Sequence, residues 1–147
     1  MQQHTRVLVA DDNKAFGAIL SHFIGSQTDM DVVGLATSGS EVLKMAASLQ
    51  PDVVLMDLYM PGTDGFAATK ALAGADPRVK VIALTAHGSA DNERLSFEAG
   101  ASAFVRKSEV DVRLMDSIRA LTCSEQGASE QGSSDSGSSG PEASEVQ

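Results

Sequence analysis

The sequence predicts a doubly wound α/β domain, (βα)5, in which a five-stranded parallel sheet lies between two layers of helices, a three-layer sandwich. Two observations carry that prediction. Short apolar runs alternate along residues 1–123 with stretches of helical periodicity, the pattern of strands joined by crossover helices. Four of the five runs have continuous apolar centres, Val7-Leu8-Val9, Val53-Val54-Leu55-Met56, Val81-Ile82-Ala83-Leu84 and Phe104-Val105, as strands covered on both faces require.

Taken in order, the strands are expected at Arg6–Ala10, Val32–Ala36, Asp52–Met56, Lys80–Leu84 and Ala103–Val105. Phe16, Ile19, Leu20 and Phe23 follow i, i+3, i+4, i+7 spacing and predict a first amphipathic helix. Val42, Met45, Ala46 and Leu49 predict a second, opened by the capping-box pattern Ser38-Gly-Ser-Glu41 and stopped at Pro51. A third helix is expected to follow Gly65 and end before Pro77. Ala90–Ala99 offers little apolar surface beyond Leu95, Phe97 and Ala99, so its helix should be weakly held and able to move. Val110, Leu114, Met115, Ile118 and Leu121 predict a last helix. From Ser124 the chain is mostly Ser, Gly, Glu and Gln, too poor in apolar residues to offset the entropy of ordering. The expected organisation is therefore a domain over 1–123 and a disordered acidic tail over 124–147.

Composition narrows the function classes. With 147 residues, 42% hydrophobic and 21% charged, the chain reads as one soluble domain. No apolar run approaches the roughly 18 residues that cross a bilayer. Met1–Asp12 does not resemble a signal peptide either, so a cytoplasmic location and no membrane association are expected. Cys123 is the single cysteine, which excludes an intramolecular disulfide and a thiolate metal cluster. The net charge is −9, and the five acids of residues 124–147 leave −4 for the domain. An acidic domain is repelled by phosphate backbones, which argues against direct nucleic-acid binding.

In a doubly wound sheet, ligands bind beyond the carboxyl ends of the strands. There the sequence places Asp11 and Asp12 after the first strand, Asp57 at the end of the third, Thr85 after the fourth and Lys107 after the fifth. Two carboxylates ~4 Å apart repel by roughly 4 kcal/mol at an effective dielectric of about 20, so three converging ones call for a cation. Mg²⁺ suits an all-oxygen site of one or two carboxylates that retains several waters. A hydroxyl and an ammonium beside it can contact the oxygens of a phosphoryl group. Individually each residue has a plainer explanation: Asp11 and Asp12 could simply start a helix, Thr85 could cap one, and Lys107 could be solvated. The weight lies in four of five strands delivering a functional group to one edge.

Residues 5–121 resemble the response-regulator receiver family, whose fold is called CheY-like or flavodoxin-like. The resemblance is carried by the acid pair, by Pro51-Asp-Val-Val-Leu-Met-Asp57-Leu-Tyr-Met-Pro61-Gly-Thr-Asp-Gly65, by Leu84-Thr85-Ala86 and by Phe104-Val105-Arg106-Lys107. It implies a two-component switch in which Asp57 accepts a phosphoryl group from a phosphohistidine on a sensor kinase or phosphotransfer protein. It further implies that Asp12, Asp57 and the Tyr59 carbonyl bind Mg²⁺, with Asp11 acting largely through water. Lys107 would pair with Asp57 and then with the phosphoryl oxygens. Thr85 would swing to the phosphoryl group, and Phe104 would turn inward as it does. Such a protein is a self-phosphorylating and self-dephosphorylating switch rather than an enzyme with a separate substrate. A homodimer or output partner would use the face where Ala90–Ala99, the fifth strand and Val110–Leu121 meet.

The chain departs from the family pattern in having Ser108 after Lys107, where many receivers carry proline. Lys-Ser endings are similar to receivers of NarL/FixJ-type regulators, which continue into a helix-turn-helix. No such pattern follows here, so the chain is expected to be a stand-alone receiver or the receiver part of a DNA-binding regulator. Two rival readings are a haloacid-dehalogenase-like phosphatase and a pseudo-receiver binding module. The first requires a second Asp two residues after the nucleophile, where Tyr59 stands. The second lacks a working acceptor site, whereas all five polar residues are present here. His4, His22 and His87 are too scattered for a metal site. His87 and Tyr59 lie two residues after Thr85 and Asp57, where family members tune water access.

Overall fold

A computed structural model describes residues 4–122; the expected tail lies outside them. Five strands, β1 (Thr5–Ala10), β2 (Met30–Ala36), β3 (Val53–Asp57), β4 (Lys80–Thr85) and β5 (Ala103–Arg106), form a parallel sheet in the order β2-β1-β3-β4-β5. Between them run α1 (Lys14–Gly25), α2 (Gly39–Leu49), α3 (Gly65–Ala75) and α4 (Ala90–Glu98). After β5 the chain makes a 3-10 turn, Lys107–Glu109, and a wide π turn, Val110–Leu114, before becoming α-helical over 115–122, here called α5. The single helix expected from Val110 thus starts as two irregular turns. No helix among the described residues is long and apolar enough to cross a membrane.

The two faces of the sheet bury alternate residues of the same strands, which is why the strand sequences are apolar without interruption. Val7, Val9, Val53, Leu55, Ile82 and Leu84 pack with Leu20 and Ile24 of α1 and Leu114 and Ile118 of the last helical segment. Leu8, Ala10, Val54, Met56 and Val81 pack with Val42 of α2 and with Ala68 and Leu72 of α3. A smaller cluster of Leu58, Ala83 and Ala101, flanked by Phe66 and Phe104, lies toward the β4 and β5 edge.

Two helix faces differ from the expected ones. In α1 the buried residues are Gly17, Leu20 and Ile24, while Ile19 is 64% exposed. The missing side chain of Gly17 lets α1 approach Leu35, which a Cβ would meet at 2.9 Å, and this turns the buried stripe by about one residue. In α4 the only buried residue is Ser96, and Leu95 and Phe97 stay 39% and 44% exposed. The expectation of a thinly anchored α4 therefore holds more strongly than its apolar residues suggested. At α2 the Ser38 hydroxyl accepts from Glu41 N–H as a capping box requires, but the Glu41 carboxylate reaches back to Thr37 N–H and Oγ1 instead of to Ser38. Between β3 and α3 a two-residue ladder, Tyr59–Met60 against Thr63–Asp64, turns at Gly62 with φ +70°. It ends at Gly65, where a Cβ would lie 2.5 Å from the Leu58 main chain. Glycine is what permits α3 to begin that close to the end of β3.

Candidate functional site at the strand ends

The register of the sheet brings the charged residues together. Ala10 of β1 pairs with Met56 of β3, so Asp11 stands beside Asp57, the last residue of β3. Both are buried and Asp12 is exposed. Helix α1 is capped by Asn13, whose side chain accepts from Phe16 N–H; neither Asp11 nor Asp12 is its N-cap.

Asp11 and Asp57 are held alike. Asp11 Oδ1 accepts from the Asn13 N–H at 2.9 Å, and Asp57 Oδ1 accepts from the Tyr59 N–H at 3.0 Å. Each carboxylate thus spends one oxygen on the main chain two residues on. The other oxygens face Lys107, whose Nζ is 2.8 Å from Asp11 Oδ2 and 3.1 Å from Asp57 Oδ2. Lys107 follows directly on β5, where Arg106 pairs with Thr85. Its ammonium also lies 4.6 Å from the centroid of the Phe16 ring, a cation–π contact that keeps the side chain over the carboxylates. The Lys107–Ser108 peptide is trans, as are all those of the described residues.

Burial pushes the Asp57 carboxyl above the usual aspartate range, and the neighbouring Asp11 charge adds to this; together they outweigh the Tyr59 N–H and the Lys107 ammonium. Burial works against the Lys107 charge too, but its contacts with Asp11 and Asp57 prevail and hold it above the ordinary lysine value. Two buried carboxylates thus share one ammonium, and a third, that of Asp12, lies close by. Asp11, Asp12 and Asp57 each offer an oxygen, all within 4.8 Å of one another. A hard all-oxygen set with excess negative charge fits a divalent cation such as Mg²⁺.

Thr85 is fully buried at the same edge, but it does not cap α4; Ser89 does, through Asn92 N–H. The Thr85 hydroxyl is engaged with the next loop, accepting from His87 N–H at 3.0 Å and donating to the His87 carbonyl at 3.3 Å. Phe104 is half-buried against the Leu58 and Ala83 cluster. Of the residues singled out in the sequence, Asp11, Asp12, Asp57 and Lys107 meet at one point, and Thr85 faces the loop beside it. A metal role for the Tyr59 carbonyl rests on the resemblance alone.

Three participants escaped sequence reasoning. Phe16 reads only as a core residue, although its place one turn after Asp12 would have put it at the strand-end edge. Asn92 joins Tyr59 and His87, and Arg106 donates to the Gly88 carbonyl at 2.9 Å. Neither carries a local signal.

Comparison with known proteins agrees with this geometry. Residues 7–119 match the response regulator receiver domain family. The transcriptional regulatory protein LiaR of Bacillus subtilis is 38% identical over 120 residues, covering 82% of this chain and 57% of LiaR. The chain thus spans a little over half the length of that relative. A protein-glutamate methylesterase/protein-glutamine glutaminase of Syntrophus aciditrophicus is 35% identical over 123 residues, 79% of this chain and 35% of that protein. Among solved structures, a two-component response regulator of the LuxR family from Aurantimonas superposes with a TM-score of 0.79 at 28% identity, covering 83% of this chain and 87% of that one.

Proposed function

The chain belongs to the response regulator receiver domain family of two-component systems, and on that premise we propose that it is a phosphorylation switch whose acceptor is Asp57. The observation that supports this most is the Lys107 ammonium held between two buried carboxylates on neighbouring strand ends. One of those carboxylates can leave Lys107 for a phosphoryl group while the other stays.

In the proposed reaction an Asp57 oxygen attacks the phosphorus of a phosphohistidine on a sensor kinase or phosphotransfer protein, and the P–N bond breaks. Lys107 shifts from the carboxylate to the phosphoryl oxygens, and Thr85 turns from His87 to donate to another. Asp12, Asp57 and the Tyr59 carbonyl would hold Mg²⁺, with Asp11 acting through water; the ion supplies the charge neutralisation that phosphoryl transfer needs. Hydrolysis of the aspartyl phosphate returns the switch to rest, so the protein is a self-resetting switch and not an enzyme with a separate substrate. The output is a homodimer or partner bound where α4, β5 and α5 meet.

Relatives of near-equal identity carry different outputs in their names, one transcriptional and one a methylesterase. A receiver of this sequence type therefore does not dictate its output. The receiver of a DNA-binding regulator is the second reading, favoured by the transcriptional relative. Acetyl phosphate with Mg²⁺ tests the acceptor: intact-mass measurement should show one added phosphoryl group in the wild type and none in a folded Asp57→Asn variant. Equal incorporation in the variant would disprove the assignment.

A further inference from the structure

Tyr59 is 51% exposed, yet its phenol is not free. Its hydroxyl donates to Asn92 Oδ1 at 2.8 Å, and Asn92 Nδ2 donates to the His87 carbonyl at 2.7 Å. That carbonyl also receives the Thr85 hydroxyl. The Tyr59 ring sits edge-on to Phe66 and His87, with centroids 6.4 and 6.5 Å away, which fixes where the phenol points. At the other end, the Tyr59 N–H is the donor to Asp57. A continuous run of polar contacts therefore links Asp57 to Thr85 by way of Tyr59, the first turn of α4 and the loop between β4 and α4. Arg106 holds the adjoining Gly88 carbonyl of the same loop.

We infer that Tyr59 and Asn92 are positioning residues, a polar latch that keeps the Thr85 hydroxyl on His87 and so opposes occupation of the site by a phosphoryl group. The inference rests on the reading of Asp57 as acceptor. A threonine hydroxyl has one proton to donate, so Thr85 cannot give it to His87 and to a phosphoryl oxygen at once. Tyr59 and Asn92 hold the loop in the arrangement where His87 receives it. Ser89 and Asn92 belong to the cap and first turn of α4, and α4 buries only Ser96, so loop and helix shift together at little packing cost. A contact made only in the resting arrangement must weaken the binding of whatever requires the other one, by the same factor in both directions.

The test uses the whole chain and two readouts. In chelator, amide exchange at His87, whose N–H is bonded to Thr85, should speed up roughly three- to tenfold in Tyr59→Phe and in Asn92→Ala, the range for one neutral hydrogen bond. The double variant should gain no more than the larger single effect, since both break one relay. Asn92→Asp keeps an acceptor for Tyr59 but loses the donor to His87, and should behave like Asn92→Ala. With Mg²⁺ and beryllofluoride as the phosphoryl mimic, the same variants should bind it tighter by a similar factor. Unchanged His87 exchange, or effects that multiply in the double variant, would overturn the latch even if beryllofluoride binds. Exchange that responds in a protein that takes up no beryllofluoride would instead overturn the acceptor reading, and the latch's role in phosphoryl transfer with it.

Discussion

The two halves of the strand-end edge are built by different means. Asp11, Asp57 and Lys107 sit at the ends of β1, β3 and β5, and the apolar residues of β1 and β3 are completely buried. Thr85 also leaves a buried strand, but the loop after it is held by a few polar contacts, Asn92 and Thr85 on His87 and Arg106 on Gly88, and leads into a helix with one buried serine. The last helical segment, the π turn and α5, shows the contrast from across β5. Leu114 and Ile118 are fully buried, and Arg119 makes a two-pronged ion pair with Asp29 just before β2. The two buried carboxylates are mounted on packed strands, whereas the hydroxyl proposed to move is engaged by a loop held through a few polar contacts. A packed core has few alternative arrangements, whereas exposed hydrogen bonds can be exchanged for water at small net cost.

The sharpest way to break this comparison is to cut each half by one side chain. Leu55→Ala, at the centre of β3, should cost about 2–5 kcal/mol, whereas Leu95→Ala in α4 should cost less than about 1 kcal/mol. Urea unfolding of the two variants measures both, and a comparable loss at Leu95 would show that α4 is anchored after all.

The next effect concerns the charge that the rigid half holds together. The folded protein concentrates three carboxylates that the unfolded chain can separate. A cation binding only the folded site should raise stability by about 2.7 kcal/mol at a hundredfold excess over its dissociation constant. Asp12→Asn should raise the metal-free unfolding midpoint slightly, because Asp12 is exposed and its repulsion screened, and should weaken the response to millimolar Mg²⁺. Thermal unfolding in chelator and in Mg²⁺ would show otherwise if wild type ignored the ion or the variant were stabilised equally.

The smallest effect tests α5. Arg119 holds the Asp29 carboxyl below its usual range. A depressed folded-state value contributes stability that is present above the ordinary aspartate pKa of about 3.9 and is lost as pH falls through the lower folded value. Arg119→Ala should therefore lower stability by under ~1 kcal/mol at neutral pH, as expected of a partly exposed pair, and by less below pH ~3. Acid titrations of the unfolding midpoint that stay parallel for the two proteins would remove Arg119 from the anchoring of α5.

What the sequence determined by itself was the frame and the set of polar residues that the frame brings to one edge. Short uninterrupted apolar runs alternating with amphipathic stretches fit strands covered on both faces, and once five strands are placed in a parallel sheet their following residues share one edge. Asp11, Asp12, Asp57, Thr85 and Lys107 were legible for that reason. Only the tertiary structure decided which of them touch. Lys107 reaches Asp57 across 50 positions of sequence because Ala10 pairs with Met56 and Arg106 with Thr85. Register and twist set such meetings, and no local pattern records them. The same holds for Phe16 beneath the ammonium and for Asn92 between Tyr59 and His87. Helix faces show the limit of periodicity, since each residue turns the helix by about 100°. The pattern of Phe16, Ile19, Leu20 and Phe23 therefore put the buried face of α1 about one residue off: Gly17, close against Leu35, lies inside and Ile19 lies outside.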